Sequence, residues 1–322
     1  MTKHSFLAPV QDGIKRVEQR MRRQADGYLP DIAAALDLLL LSGGKRIRPA
    51  LTLLTARMLG AEEDASITLA TAIELLHTAT LVHDDLIDSS LLRRGSPTLN
   101  SQWSAGATVL TGDFIFARAA KMAADTNSVE VMKLFAQTLT TIVNGELNQL
   151  FSSRCKVDRQ EYNTRIYAKT ASLFETSAAS PALLCESPAE TVEKLKKFGY
   201  NIGMAFQIVD DILDFTSEPA TLGKPVGNDL RQGIITLPTI LYVENHVDDP
   251  KASFLVSGQC ESPNGWIDPL IKAIRDSDAA DRAHDEACRY VQEGLDILLT
   301  LPDIPERKPL EELAQYIVSR HH

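Results

Sequence analysis

The apolar residues of this chain recur at three- and four-residue steps over long segments, which is the spacing of one face of an α-helix. The same segments are rich in Ala, Leu, Glu and Lys, which favour helices. The alternation of apolar and polar residues that is typical of strands is not found. The clearest helical segments are Ala50–Leu59, Ile67–Leu92, Val129–Phe151, Val192–Phe215 and Asp281–Leu299.

This pattern predicts an all-α fold, a helical bundle that forms a single domain over residues 1–322. The segment Ile67–Leu92 is apolar over more than one face, so we expect it to lie inside the bundle. Gly and Pro fall mostly between the helical segments, and no linker divides the chain. The least regular stretch, from Asn245 to Asp268, is expected to be a surface connection or short irregular helices, of little catalytic interest.

Charge and cysteine content restrict the partners and the compartment. The chain has 43 acidic and 33 basic residues and a formal net charge of −10, which argues against nonspecific nucleic-acid binding as its main activity. The N-terminus lacks the apolar core of a signal peptide, and no apolar run reaches the ~20 residues that span a bilayer. We therefore expect a reduced, cytoplasmic protein with at most peripheral membrane contact. The cysteines form no C-x-x-C pair and are Cys155, Cys185, Cys260 and Cys288.

Two aspartate-rich segments of nearly the same design are the strongest functional signal. V-H-D-D-L-I-D ends at Asp88 and I-V-D-D-I-L-D ends at Asp214, and their first aspartates are 126 residues apart. In each segment the first and last aspartates would share a helix face, where like charges cost roughly 0.2–0.5 kcal/mol per pair unless a cation neutralises them. Oxygen ligands suit Mg²⁺ better than zinc. The alternative is a solvated acidic face, which the apolar neighbours disfavour.

Basic residues lie close to these aspartates in the sequence. G-G-K-R-I-R-P follows a leucine-rich helix and opens another, so Lys45, Arg46 and Arg48 should gather at a helix N-terminus, where N–H groups and the helix dipole favour an anion. A solvated basic loop is the alternative. Arg93 and Arg94 follow the first aspartate cluster by about one helical turn. If a metal and a diphosphate were bound there, these arginines could each hold two oxygens.

Weaker signals lie near the second cluster. Two further basic residues lie in the segments Lys169-Thr170 and Gly223-Lys224-Pro225. Gln207 lies three residues before Asp210 and could offer its amide oxygen to a developing positive charge. From spacing alone, Gln207 could equally be a polar residue bonded inside the bundle.

Two histidines on the first aspartate segment allow alternative interpretations. His77 lies seven residues before Asp84 and projects within about 20° of it on a helix. A lone histidine of this kind is more often a core residue than a ligand. The dipeptide His83-Asp84 also occurs in metal phosphohydrolases, but the further histidines that such a site needs are not evident.

Taken together, these motifs resemble those of the all-trans polyprenyl diphosphate synthases, from about Gly43 to about Pro238 and more loosely to the C-terminus. The matching motifs are G-G-K-R-I-R-P, H-D-D-L-I-D with R-R-G, G-E-L-N-Q at Gly145–Gln149, K-T at Lys169, F-Q-I-V-D-D-I-L-D and G-K-P-V-G-N-D-L. The resemblance implies the all-α isoprenoid synthase fold, with the two aspartate-rich helices facing each other across a deep central cavity. It also implies a homodimer.

The resemblance also implies roles for individual residues. Mg²⁺, with three ions expected, would be bound by Asp84, Asp85, Asp88, Asp210, Asp211 and Asp214. The allylic diphosphate would be held through these metals and by Arg93, Lys169 and Lys224. The isopentenyl diphosphate would be held by Lys45, Arg48, His77 and Arg94. The allylic cation would be stabilised by Thr170 and Gln207.

The implied reaction is a Mg²⁺-dependent head-to-tail (1'-4) condensation of an allylic diphosphate with isopentenyl diphosphate. One departure from the family pattern is Ile234, where many members carry a lysine, and longer-chain members often lack that lysine too. The alternatives are a catalytic or regulatory subunit of a heteromeric prenyl synthase and a class I terpene cyclase. The cyclase would normally carry an N-S-E-type second metal motif. The terminal histidines are assigned no role.

The residues just before Asp84 bear on product length. In the family, large aromatic residues four and five positions before the first aspartate stop chain growth early. Here these positions hold Thr80 and Ala79, with Leu76 farther down the same helical stripe. The small side chains predict a product longer than C20. The alternative is that Ala79 is an ordinary small core residue.

Ala79→Phe should shorten the product, because the aromatic ring would block the path of the growing chain. Chromatography of products made with labelled isopentenyl diphosphate measures the effect. An unchanged product length would contradict the tunnel assignment.

Overall fold

The structure is a computed structural model that describes residues 5–151, 155–217, 225–256 and 265–320. Within these residues the α-helices in chain order are α1 Gln11–Arg22, α2 Pro30–Leu41, α3 Ile47–Met58, α4 Glu63–Ile87, α5 Leu99–Gln102, α6 Ala105–Ala124, α7 Val129–Phe151, α8 Arg159–Ile166, α9 Ser172–Leu184, α10 Ala189–Thr216, α11 Asn228–Arg231, α12 Leu237–Asn245, α13 Ser253–Val256, α14 Ile267–Arg275, α15 Ala279–Leu299 and α16 Lys308–Val318. The only strands among them are β1 Leu92–Arg93 and β2 Ser96–Pro97. The prediction of an all-α protein is confirmed.

The chain forms two compact units. Unit 1 consists of Met1–Thr138, Leu173–Gly199 and Ile297–Leu313, and unit 2 consists of Leu139–Ser172, Tyr200–Asp296 and Ala314–His322. Each unit is assembled from three separate stretches, so the two are interleaved along the sequence. The single-domain organisation therefore stays a prediction.

In unit 1, the central element is α4, which packs against α1, α3 and α6. The carboxylate of Glu62 caps its start by accepting hydrogen bonds from the backbone N–H groups of Asp64 and Ala65 at 2.8 and 2.7 Å. By length and composition α4 could cross a membrane, but 78% of its apolar window is buried within the protein. It is therefore a core helix, as its sequence predicts.

The end of α4 differs from the sequence-based expectation. The helix stops at Ile87, so the prediction of a helix up to Leu92 is wrong for its last residues. The strands β1 and β2 pair across Arg94 and Gly95, which have φ values of 52° and 78°. Positive φ at both central residues is the geometry of a type I′ hairpin. A tight hairpin, and not a helix, therefore positions the arginines after the aspartates.

The helices α4 and α6 come unusually close beside the first aspartates. A Cβ atom on Gly112 of α6 would lie 2.2 Å from Nε2 of His83 on α4. That nitrogen lies 3.2 Å from the carbonyl oxygen of Val109 and 3.6 Å from a carboxylate oxygen of Asp113. Only a glycine leaves space for the imidazole that precedes Asp84.

In unit 2, the segment Tyr167–Ala171 between α8 and α9 is a π-helical turn that contains Lys169. Such turns are frequent at functional sites because they displace side chains from the regular helical positions. A Cβ atom on Gly145 would lie 2.5 Å from Cβ of Ala168, so α7 passes very close to this turn. The motif G-E-L-N-Q thus begins with a glycine that packing requires.

The cysteines do not all match the expectation of a reduced protein. Cys185 and Cys288 carry free thiols, and burial raises the pKa of each. Cys155 is buried and disulfide-bonded. The expectation that the described cysteines are all reduced is therefore wrong at Cys155.

Gly112→Ala should destabilise the protein by about 1–3 kcal/mol, because the added methyl group overlaps the ring of His83. Thermal unfolding measures this change. Gly106→Ala on the same helix is the control, since a methyl group added there would meet no other heavy atom within 4 Å. The control should leave stability unchanged or raise it by up to about 1 kcal/mol. Equal effects of the two substitutions would contradict the close packing.

Candidate functional site

The first aspartate cluster lies at the C-terminal end of α4 in unit 1. Asp85 is buried, and its carboxylate accepts hydrogen bonds from Nε of Arg93 at 2.9 and 3.0 Å and forms an ion pair with Nη2 at 2.8 Å. Asp84 is half-buried and Asp88 is exposed. Asp85 thus fixes Arg93, and the more accessible carboxylates of the cluster are Asp84 and Asp88.

Three of the four residues predicted to hold isopentenyl diphosphate converge near the start of α3. Nη1 of Arg48 lies 3.2 Å from Nε2 of His77, and its guanidinium lies 4.8 Å from the ring centroid of Phe174. Arg94 donates a hydrogen bond to the carbonyl of Gly43. The fourth residue, Lys45, is exposed on the adjoining turn.

Arg46, which the sequence also placed at this helix start, has a different role. Its guanidinium is 2.8 Å from Glu18 and 3.0 Å from Glu74, and the side chains of Arg46 and Glu74 are only 12% and 5% exposed. Burial alone would lower the pKa of Arg46, but the charges of Glu74 and Glu18 raise it above its ordinary value. Arg46 therefore stabilises the fold by a buried ion pair.

His77 lies among arginines, which makes this a positive region. Burial, followed by the charges of Arg48, Arg94 and Arg93, lowers the pKa of His77 well below its ordinary value. Since arginine can only donate, Nε2 of His77 accepts the bond from Arg48 and the ring is neutral. The arginines that add to the effect of burial on this ring would also attract an anion.

The second aspartate cluster lies near the C-terminal end of α10 in unit 2. Asp210 accepts a hydrogen bond from Nη1 of Arg320 at 2.8 Å. Asp214 accepts hydrogen bonds from the backbone N–H groups of Asn228 and Asp229, both at 3.2 Å, at the start of α11. Each of these carboxylates is therefore oriented by a donor from another element of unit 2.

Asp211 is the buried member of this cluster. It accepts hydrogen bonds from the hydroxyl of Tyr162 at 2.7 Å and from Nε2 of Gln207 at 2.8 Å. Burial and the charge of Asp229 raise the pKa of Asp211 to about 8. Both carboxylate oxygens of Asp211 thus have protein partners.

The residues predicted to stabilise the allylic cation contact each other. The hydroxyl of Thr170 donates to Oε1 of Gln207 at 2.6 Å, and Gln207 in turn donates to Asp211. Nζ of Lys169 forms an ion pair with Glu146 at 2.9 Å. Lys224 lies outside the described residues.

The aspartates of the two clusters suit a hard cation that also keeps oxygen ligands from water or substrate. Among the residues that the structure describes, no three His, Cys, Asp or Glu side chains come close enough to enclose a metal ion. Mg²⁺ typically takes one or two carboxylates and completes its shell with water and substrate phosphates. The carboxylate oxygens therefore suit a hard cation that takes its remaining ligands from outside the protein.

The predicted chain-length residues lie in the core of unit 1. Leu76 and Ala79 on α4 are completely buried. Thr80 is half-buried, and its hydroxyl donates to the carbonyl of His77 at 2.8 Å. Their role in chain length stays a prediction.

Comparison with known proteins identifies the family. The family model described as polyprenyl synthetase matches residues 30–259. The chain belongs to the polyprenyl synthetase family. This family has the all-α isoprenoid synthase fold, and its curated members include long-chain enzymes.

Individual members of the polyprenyl synthetase family match nearly the whole chain. Heptaprenyl diphosphate synthase component 2 of Geobacillus stearothermophilus is 36% identical over 321 residues, which cover 99% of this chain and 98% of that protein. Octaprenyl diphosphate synthase of Escherichia coli is 36% identical over 281 residues, 86% of each chain. The crystal structure of a polyprenyl synthase from Caulobacter crescentus, complexed with calcium and isoprenyl diphosphate, shares 34% identity and a TM-score of 0.90 and covers 98% of this chain and 97% of that one.

Membership in the polyprenyl synthetase family makes the chain a prenyltransferase of a generally metal-dependent family. The terpene cyclase alternative is not supported. Sequence reasoning missed Tyr162 and Arg320, which bind the second aspartate cluster. Neither lies in a recognisable motif, so only the folded chain reveals them. The ion-pair partner of Lys169 is Glu146. The sequence indicated this residue only as part of the motif G-E-L-N-Q.

Arg46→Met should lower the free energy of unfolding by about 3–5 kcal/mol, because the carboxylate of Glu74 would remain buried without its partner. Lys45→Met is the matched control on the adjacent, exposed residue. It should change stability by no more than about 0.5 kcal/mol but weaken binding of inorganic diphosphate by about tenfold. Urea denaturation and calorimetric titration measure the two effects. Similar stability losses in both variants would contradict the assignment.

His77 should make the protein less stable in acid. An unfolded histidine gains a proton near pH 6.5, whereas the folded ring, with its lowered pKa, does not. Stability is therefore lost as the pH falls through the unfolded value. Between pH 7 and pH 5.5 we expect a loss of about 1 kcal/mol from this residue, and the loss should be absent from His77→Gln. Urea denaturation at each pH measures it, and identical pH slopes in the two proteins would contradict the assignment.

Proposed function

We propose that this chain is a long-chain polyprenyl diphosphate synthase. It would catalyse the Mg²⁺-dependent head-to-tail (1'-4) condensation of an allylic diphosphate with isopentenyl diphosphate. The product would contain more than twenty carbons. Relatives named for heptaprenyl and octaprenyl products support this assignment.

One observation carries the proposal. The helix α4 contains both His77, in the positive region near the start of α3, and Asp84, in the acidic cluster. Seven residues separate the two, which corresponds to about 10 Å along a helix. A single rigid helix can therefore hold one diphosphate through basic groups and a second one through a metal, with their reacting carbons between them.

The basic region is the proposed site of isopentenyl diphosphate. Arg48, Arg94 and Lys45 would bind its diphosphate oxygens by charge-assisted hydrogen bonds. His77 would contribute no charge, since its ring is neutral, and would hold Arg48 in place by accepting its hydrogen bond. This arrangement needs no metal.

Each acidic cluster is a proposed site for metal ions that hold the allylic diphosphate, as the family resemblance implies. Bound Mg²⁺ would supply Lewis-acid neutralisation of the charge on the leaving diphosphate. The ligands would be Asp84, Asp88 and Asp210, with Asp85, Asp211 and Asp214 as further or water-mediated ligands. Arg93, held by Asp85, would bind the same diphosphate together with Lys169 and Lys224.

The polar residues of unit 2 would act on the allylic carbon chain. Gln207 has both ends of its amide fixed, because Thr170 donates to its oxygen and its nitrogen donates to Asp211. A fixed carbonyl dipole stabilises a developing cation at no cost in reorientation. After the alkene of isopentenyl diphosphate attacks C1, the proton would leave to the departing diphosphate.

We also propose that the chain acts as a homodimer in the cytoplasm. Support for a subunit contact comes from α6, where Val109 and Leu110 are 40% and 69% exposed. Exposed apolar side chains on a helix are compatible with a subunit contact. The free thiols of Cys185 and Cys288 are compatible with a reducing compartment. The disulfide at Cys155 does not support this localisation.

The purified chain alone, with Mg²⁺, an allylic diphosphate and labelled isopentenyl diphosphate, should make a product longer than twenty carbons. Chelation of the metal should abolish turnover, because the leaving diphosphate would lose its neutralising charge. Thin-layer chromatography of the dephosphorylated products measures chain length, and size-exclusion chromatography with light scattering measures the oligomeric state. Turnover only after addition of a second, different chain would favour a heteromeric enzyme, and turnover in the presence of chelator would contradict the proposal.

A further inference from the structure

Arg320 is a buried arginine bonded to the second aspartate cluster. Its side chain is 3% exposed, and Nη1 lies 2.8 Å from Oδ1 of Asp210. It follows the end of α16, far in sequence from every motif that indicates function. Surface charge cannot explain why a buried arginine is bonded to a proposed metal ligand.

The guanidinium of Arg320 is fixed on all sides. Nε donates to the carbonyl of Ile317 at 3.1 Å, and Nη2 donates to the carbonyl of Phe206 at 2.9 Å. The guanidinium also stacks on the ring of Phe206, 3.9 Å from its centroid. With these contacts in addition to Asp210, the arginine has no freedom to swing away from the carboxylate.

The carboxylate of Asp210 is held by only one of its oxygens. The side chain is 40% exposed, and Oδ2 makes no hydrogen bond with the described residues. Arg320 therefore prevents rotation of the carboxylate about its Cβ–Cγ bond while it leaves Oδ2 accessible. This is the arrangement in which a hydrogen-bonded partner orients a metal-ligating carboxylate.

We propose that Arg320 is a positioning residue for the metal site, because it holds Oδ1 of Asp210 and leaves Oδ2 available to a cation. This inference rests on the proposed function. The positive charge of Arg320 opposes a cation nearby, but Asp214 and the neighbouring Asp229 add carboxylates close to Asp210. Fixing the ligand in advance lowers the cost of ordering it when the metal binds.

The test compares three substitutions of Arg320 with one of Arg307. Arg307 is also a buried arginine, close to the start of α16, and forms ion pairs with Asp303 and Glu311, both at 2.8 Å. Arg307→Gln should lower the melting temperature without changing metal binding. Arg320→Gln should lower the melting temperature and also weaken Mn²⁺ binding in the presence of inorganic diphosphate by about 10–100-fold. Electron paramagnetic resonance of free Mn²⁺ measures this binding without any need for turnover.

Two further variants separate positioning from folding. Arg320→Lys keeps the charge but lacks the planar fork, so its metal affinity should fall between those of the wild type and Arg320→Gln. Arg320→Ala should regain part of its Mn²⁺ affinity when millimolar guanidinium is added, whereas urea at the same concentration should have no effect. A structural role alone would not produce this rescue.

The outcomes separate this inference from the proposed function. If the wild type binds Mn²⁺ and elongates, and Arg320→Gln has the same Mn²⁺ affinity or a higher one, the inference fails and the proposed function stands. If the wild type binds no Mn²⁺ with diphosphate, both fail. Weaker Mn²⁺ binding in Arg320→Gln, with guanidinium rescue in Arg320→Ala, supports the inference.

Discussion

The electrostatic cost of acidic side chains at the C-terminal ends of two helices is the constraint on which this structure depends. The clusters Asp84–Asp88 and Asp210–Asp214 occupy the last turns of α4 and α10, where the helix dipole is already negative. Carboxylates in such places need cations or hydrogen-bond donors. In each unit the surrounding structure supplies many of these donors, and the carboxylate oxygens that stay accessible are the proposed metal ligands.

The two units offset this charge in the same way. In unit 1, Arg93 neutralises the buried Asp85, and a type I′ hairpin fixes the position of the arginine. In unit 2, Arg320 pairs with Asp210, and Tyr162 donates to Asp211. In each cluster the protein supplies hydrogen-bond donors to the buried carboxylate, Asp85 or Asp211, and leaves accessible oxygens that are the proposed ligands of a cation bound with diphosphate.

The sequence predicted the parts of this arrangement that depend on local spacing. Apolar periodicity gave the helices, and the i, i+4 aspartates and the basic helix start gave the chemistry. Periodicity could not locate the end of α4, because the turn at Arg94-Gly95 overrides the apolar residues around it. It also could not show that Arg46 is bound to Glu18 and Glu74 and not to a ligand. Such long-range partners exist only once the chain has folded.

Thermal unfolding of Asp88→Asn, with and without Mg²⁺ and inorganic diphosphate, tests the central claim most directly. Asp88 is exposed at the end of α4, so without ligands the variant should be no less stable than the wild type. With ligands at about a hundredfold excess over Kd, the wild type should gain about 2.7 kcal/mol, and the variant should lose most of that gain. An equal gain in stability in both proteins would contradict the claim that these carboxylates bind a metal ion together with diphosphate.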